Sequence, residues 1–351
     1  MGTRQRLIEL DILRALGIVC VLAGHALDYV PAAPWARSQY ALTTLGVGLF
    51  TFVSGFALAY SSAGAAPTPS MRFLKQRLGR IYPLYIPALL IFVALFYYLK
   101  LSPRLHFKPV IPNLAAHLFS MQALLSPLVT PSFTLWFIGM IVPFYVFFML
   151  IVRCKTARQA ALTIILIPVL LLMARFVFGI VDVRILLYYP VFIAGILLSR
   201  LGVLSSRRLD YRLALLGLAV SALAYVAFQN LGMTKVLDES CGRNQIIACA
   251  PDAAIILTYM LSAIVFLLWI SSRWTRHMPD PVRQAILFVS FSSYAVYLYH
   301  RPLLLTFGWL TTLMTFGVAG RTVLLVGLMI LLFPIGYGLQ NLQDRLQSKA
   351  H

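Results

Sequence analysis

Residues Asp11 to His25, "DILRALGIVCVLAGH", form an apolar run with an arginine near its start and a histidine at its end. Such a run is either the interior of a large soluble core or a bilayer span, and the rest of the chain decides which. The 351 residues are 61% hydrophobic and only 11% charged. Apolar stretches of about twenty residues recur along the chain, the length that crosses a hydrocarbon core. The chain is therefore expected to be an all-α, polytopic membrane bundle forming a single domain over 1–351. The first run carries an acid, a glycine and a histidine and lacks a small-residue cleavage pattern, so it reads as a retained span, not a signal peptide.

Hydropathy places ten spans at roughly 10–30, 40–61, 81–100, 132–152, 159–179, 185–200, 213–231, 253–271, 285–308 and 321–341. The formal net charge of +19 would suggest nucleic acid in a soluble chain, but in a membrane protein Lys and Arg gather in cytoplasmic loops. With the N-terminus inside, the cytoplasmic segments hold 18 of the 29 basic residues, among them Arg4, Arg207 and Arg208. The outer segments hold eight: Arg37, Lys100, Arg104, Lys108, Arg184, Lys235, Arg243 and Arg321. The remaining three, Arg14, Arg175 and Arg301, fall within or at the edge of spans. The asymmetry predicts both termini on the cytoplasmic side of a bacterial-type inner membrane, with lipids and no nucleic acid as surroundings. Four cysteines are too few for a disulfide scaffold, but Cys241 and Cys249 share the outer loop "DESCGRNQIIACAPD", where an oxidising compartment permits a bond. The Pro-rich outer loop 101–131 is expected to hold a short interfacial helix.

On a helix, eleven residues make three turns plus about 20°, so Arg14 and His25 point the same way about 16 Å apart. Asp11 lies three residues before Arg14 and Asp28 three after His25, spacings that put all four groups on one face. Ionisable groups inside a bilayer are costly and normally face a bundle interior or a wet cavity, so the stripe is a candidate functional site. The other reading leaves Asp11 and Arg14 at the interface and His25 bonded to a neighbouring helix. A second stretch, "MRFLKQRLGRIYPLY", sets Arg72, Lys75, Arg77 and Arg80 before the third span. It suits phosphates, although positive-inside anchoring with headgroup contacts is the commoner role of any single such cluster. Ser54 and Gly55 in "LFTFVSGFALAY" allow close helix packing. His300, followed by Arg301 and Pro302, needs polar neighbours in an apolar helix. Trp136 in "SFTLWFIGM" reads as an interfacial anchor.

Taken in order, these pieces resemble the acyltransferase 3 family of integral-membrane O-acyltransferases. The matching motifs are "LDILRALGIVCVLAGH", with its Asp-x-x-Arg-x10-His pattern, "FTFVSGF", "RLGRIYPLY" with Arg-x-x-Arg, "LWFI" and "YAVYLYH", spread over about residues 9 to 341. The resemblance implies transfer of an acyl group, usually acetyl from acetyl-CoA, from the cytoplasm to a hydroxyl of a glycan or related acceptor. His25 would be the central catalytic residue, while Arg14, Arg77 and Arg80, with Lys75, would serve the donor. Asp11, Ser54, Trp136 and His300 would support the site or the substrate. Two departures stand out: the family's usual glycines after the first-helix Asp and Arg are Ile12 and Ala15, and no hydrolase-like outer domain follows the tenth span. Such a chain completes transfer alone or hands its acyl group to a separate outer protein.

The residue chemistry agrees with these roles. A base with near-neutral proton affinity suits removal of a hydroxyl proton, and histidine supplies one. Asp28 could orient the ring, the phosphates of CoA match guanidinium forks, and no metal is called for. The competing class is a proton-coupled transporter or flippase with His25, Asp28 and His300 as a relay. Paired broken helices or an inverted repeat would favour it, and the sequence shows neither.

Overall fold

The computed structural model describes residues 6–29, 38–63, 70–95, 110–129, 133–204, 210–231, 241, 246–313 and 317–349. Arg4, Arg37, Lys100, Arg104, Lys108, Arg207, Arg208, Lys235 and Arg243, used above in assigning loops, lie outside the described residues. Within them the chain is helical, with no strand. The helices are α1 (Ile8–Ala26), continued by a 3-10 turn at Leu27–Tyr29, α2 (Gln39–Ser62), α3 (Ser70–Val93), α4 (Ile111–Leu118), α5 (Trp136–Val152), α6 (Ala157–Phe178), α7 (Val183–Arg200), α8 (Tyr211–Leu231), α9 (Ile246–Trp274), α10 (Asp280–Leu313) and α11 (Val318–Lys349).

Within the described residues each predicted span overlaps one helix, and α4 is a short helix inside the Pro-rich loop. Seven helices, α1, α2, α6, α7, α8, α9 and α11, are long and apolar enough to cross a membrane by length and composition. The count of about ten is thus approximate on that measure, for physical reasons. The apolar α5 has only 17 residues, α3 opens with a basic half, and α10 carries His300 and Arg301.

Helix α1 packs on α2 and α10, α2 packs in turn on α7, and α8–α9 and α10–α11 form further pairs. Between helices in lipid there is no water to expel, so close backbone approach supplies the attraction. Small residues mark those contacts. A Cβ on Gly46 would lie 2.6 Å from the Gly17 carbonyl oxygen across the α1–α2 seam. On Gly55 it would lie 2.2 Å from the Phe192 carbonyl oxygen across α2–α7.

Prolines tie other seams together. Pro168 has no N–H, so the Ile164 carbonyl in α6 loses its helical donor; the Tyr189 hydroxyl of α7 donates to it at 2.9 Å. In α3, Pro83 frees the Gly79 carbonyl in the same way, and the side-chain amide of Gln347 in α11 donates there. Gln343 adds a bond of 2.8 Å to the Arg80 carbonyl. Arg175, buried at the end of α6, donates to the carbonyls of Val181 and, at 2.5 Å, Cys241. Cys241 is disulfide-bonded to Cys249 in α9, with the Cα atoms 6.4 Å apart.

Candidate active site

Helix α1 presents the stripe read from the sequence, and the structure gives each member its partners. At one end, Asp11 is buried and held by a two-pronged contact from Arg6, with Nε–Oδ2 at 2.7 Å and Nη2–Oδ1 at 2.9 Å. Ser290 of α10 donates to Oδ1 at 2.7 Å. Arg14 Nη1 approaches the same carboxylate only to 3.9 Å, so the arginine keeps most of its hydrogen-bonding capacity for something else. Asp11 therefore fastens α1 to α10, with Arg6 as its main counter-ion. That partnership also raises the proton affinity of Arg6, chiefly through its hydrogen bond to Asp11.

Arg14 does not stand alone. The Tyr145 hydroxyl of α5 lies in the electrostatic field of Arg77, Arg14 and Arg80 together. The first turns of α3 bring these cations to the same end of the bundle, where Arg72, Lys75, Gln76, Arg77, Gly79 and Arg80 line a cavity of about 680 Å³ with Gln347 of α11. The two α11 glutamines grip the backbone at Gly79 and Arg80, which fixes where the guanidinium groups start. Arg77 also lies over the Phe73 ring, 5.4 Å from its centroid. Among the described residues no carboxylate pairs with Lys75, Arg77 or Arg80. Several cations converging without local neutralisation give this end of the bundle a strongly positive surface.

At the other end, His25 ends α1 and Asp28 sits in the turn that follows. Tyr29 holds that turn on α10: its ring meets Phe307 edge-on at 6.0 Å and covers Gly308, where a Cβ would come within 2.6 Å of it. Arg301 of α10 reaches both functional groups, with Nη1 2.9 Å from Asp28 Oδ2 and 3.2 Å from His25 Nδ1. The direct His25–Asp28 approach is longer, at 3.9 Å. Asp28, expected to orient the imidazole, is thus engaged first by Arg301, and Arg301 is the group in hydrogen-bonding contact with the ring. His300 is fully buried and stacks on His25 with ring centroids 5.2 Å apart.

The remaining predicted residues stand further off. Ser54 bonds back to the Phe50 carbonyl of its own helix at 2.8 Å, so the close-packing role belongs to Gly55. Trp136 begins α5 with the Arg184 guanidinium 4.1 Å above its ring, and Asp182 in turn holds Arg184 at 2.5 Å. Aromatic contacts connect Trp136 through Phe137 and Tyr297 to His300. Two participants were not singled out as site residues from the sequence. Tyr145 had no signal among 17 tyrosines. Arg301 had one, being a basic residue beside a histidine within a span.

The fold and site define a helical membrane protein with a polycationic cavity at one end of α1 and a histidine–carboxylate–guanidinium cluster at the other. A family model described as an acyltransferase domain matches residues 7–340, and the chain belongs to this acyltransferase 3 family. It is also similar to "Protein 2 in picA locus" of Rhizobium radiobacter, with 35% identity over 96 residues. That match takes in 26% of this chain and 47% of the relative, so the chain spans about half the length of the curated relative it matches. No solved structure matches.

Proposed function

We propose that this membrane acyltransferase takes an acyl group, acetyl in the simplest case, from cytoplasmic acyl-CoA. It moves the group to a hydroxyl of a cell-surface glycan or related acceptor. The observation that carries the reading is the division of α1 into two chemically distinct ends on one face, Arg14 with the α3 cations and His25 with Asp28, Arg301 and His300. Donor fit rests on the cavity: its size and unneutralised Arg77, Arg80 and Lys75 suit the phosphates of a CoA ester. Arg14, at the end of the stripe nearest the α3 cations, can meet the diphosphate or charge developing at the thioester.

His25 acts as the base. It removes the acceptor hydroxyl's proton as the oxygen attacks the thioester carbonyl, and later returns that proton to the leaving thiolate. Asp28 stabilises the transient imidazolium, and Arg301 places both groups. The spacing of about 16 Å along α1 lets a donor held at the basic end present its thioester near His25 without its phosphates leaving water. Sidedness follows from the same line: the donor enters at the cytoplasmic face, and the acceptor is met beyond the midplane.

The test is turnover of radiolabelled acetyl-CoA by purified protein in liposomes, together with calorimetric binding of CoA. Wild type transfers or hydrolyses the label, whereas His25→Ala loses turnover by 100-fold or more, on the order expected for removing a base, yet binds CoA with unchanged affinity. Loss of CoA binding in His25→Ala, or turnover that survives it, overturns the assignment.

A further inference from the structure

The contact between Arg301 and His25 has a chemical direction. A guanidinium offers five N–H donors and no acceptor, so a 3.2 Å contact from Nη1 requires a lone pair on His25 Nδ1. The hydrogen of the neutral ring then sits on Nε2. Asp28 stands farther from Nδ1, with its Oδ2 at 3.9 Å from the ring nitrogen and bonded by Arg301 at 2.9 Å. The stacked His300 is fixed the opposite way. Its Nδ1 faces the Tyr297 carbonyl oxygen at 2.7 Å, which can only accept, so Nδ1 carries the hydrogen. The buried Nε2 of His300 keeps its lone pair and has no hydrogen-bond partner among the described residues.

We propose that Arg301 is a positioning residue that caps the Nδ1 lone pair of His25 and so holds the resting imidazole in its Nε2–H form. The proposal rests on the reading of His25 as the base and adds a step to it. With the cap in place His25 presents an N–H at Nε2, a donor and not a base. When Arg301 withdraws onto Asp28, water takes the hydrogen from Nε2 and delivers one to Nδ1, so that Nε2 gains the lone pair. The acceptor O–H then gives its proton to Nε2 as its oxygen bonds the thioester carbon. The C–S bond breaks, and the departing thiolate takes the proton back from Nε2. Water could follow the same route, so a resting enzyme without the cap would expose the bound thioester to hydrolysis.

The experiment is ¹⁵N NMR of detergent-solubilised, full-length protein labelled at histidine nitrogens, with the His25 signals identified by their loss in His25→Gln. Wild type is expected to show His25 with a bare Nδ1 and a protonated Nε2. In Arg301→Met the tautomer ratio moves toward Nδ1–H by about tenfold, the worth of one hydrogen bond from a charged donor. Arg301→Lys, which keeps a cationic donor, returns the ratio most of the way to wild type. Turnover by Arg301→Met changes in kcat, with the acetyl-CoA KM within about twofold of wild type, since the donor phosphates bind at the far end of α1. A wild-type spectrum with Nδ1–H on His25 overturns the proposal even if the methionine variant does not fold, and so does an unchanged ratio in a folded Arg301→Met. The NMR readout does not use turnover, so failure of the acyltransfer reading and failure of the cap are separable.

Discussion

Arg77 and Arg80 are three residues apart at the start of α3, and each contributes a cation without a carboxylate partner among the described residues to the cavity that Gln347 closes. If they hold donor phosphates in both ground and transition states, Arg77→Ala and Arg80→Ala should raise the acetyl-CoA KM about tenfold or more and leave kcat within a few-fold, the pattern of lost uniform binding. Arg80→Lys should recover only part of the loss, because an ammonium keeps the charge but not the planar fork. Steady-state kinetics on the three variants checks this, and a KM equal to wild type in both alanine variants returns the arginines to membrane anchoring. At this scale the sequence was most informative where the chemistry is local. Helical periodicity alone aligned Asp11, Arg14, His25 and Asp28. It could not supply Arg301, the nearest partner of His25, because that contact joins residues 276 apart. Nor could spacing reveal that Asp28 would prefer the guanidinium to the ring three residues before it, a choice made by which neighbour comes within 2.9 Å.

In two helices a proline frees a backbone carbonyl that a neighbouring helix supplies with a donor, which ties α6 to α7 and α3 to α11. Pro168 leaves the Ile164 carbonyl without a donor inside a lipid-exposed helix, and Tyr189 supplies one. Removing that hydroxyl should cost about 1 kcal/mol, the net value of a hydrogen bond whose loss strands a carbonyl away from water. The cost should shrink when Pro168 is also changed to Ala, because the new backbone N–H refills the carbonyl. A double-mutant cycle of Tyr189→Phe and Pro168→Ala, read by thermal unfolding in detergent, should therefore show a non-zero interaction term, whereas strict additivity would mean the worth of the hydroxyl does not depend on the proline. Hydropathy located these helices well, since long apolar runs are a property of the segment itself. Which residue answers a given proline is a property of the fold, and Gln347 of α11 serving Gly79 of α3 has no trace in either stretch read alone.

For the molecule as a whole, the open quantity is the number of crossings, and parity makes it measurable. Seven helices meet the length and composition requirement for a span, while α3, α5 and α10 fall short of it. Seven crossings would put Ile8 and Lys349 on opposite sides of the membrane; ten would put them on the same side. Three observations favour ten. The α10 helix pairs with α1 and carries the buried His300 against His25, so it runs through the bundle beside an accepted span. Phe144 and Phe148 of α5 are buried in the main core, as are Tyr85 and Phe92 of α3. The charged character of α3 and α10 is the expected result of building a polar site from membrane helices, because the residues that make the site lower the hydropathy of the segments that carry it, while α5 falls short by length alone. We expect a fluorescent-protein fusion at the C-terminus to be bright and a periplasmic-phosphatase fusion there to be inactive, with the same pair of results at the N-terminus. That outcome places both ends in the cytoplasm and the Arg77–Arg80 cavity on the side where acyl-CoA is made. Opposite results at the two ends would rule out ten crossings, and with them the proposed sidedness, in which the donor enters at Arg14 and the acceptor meets His25 from without.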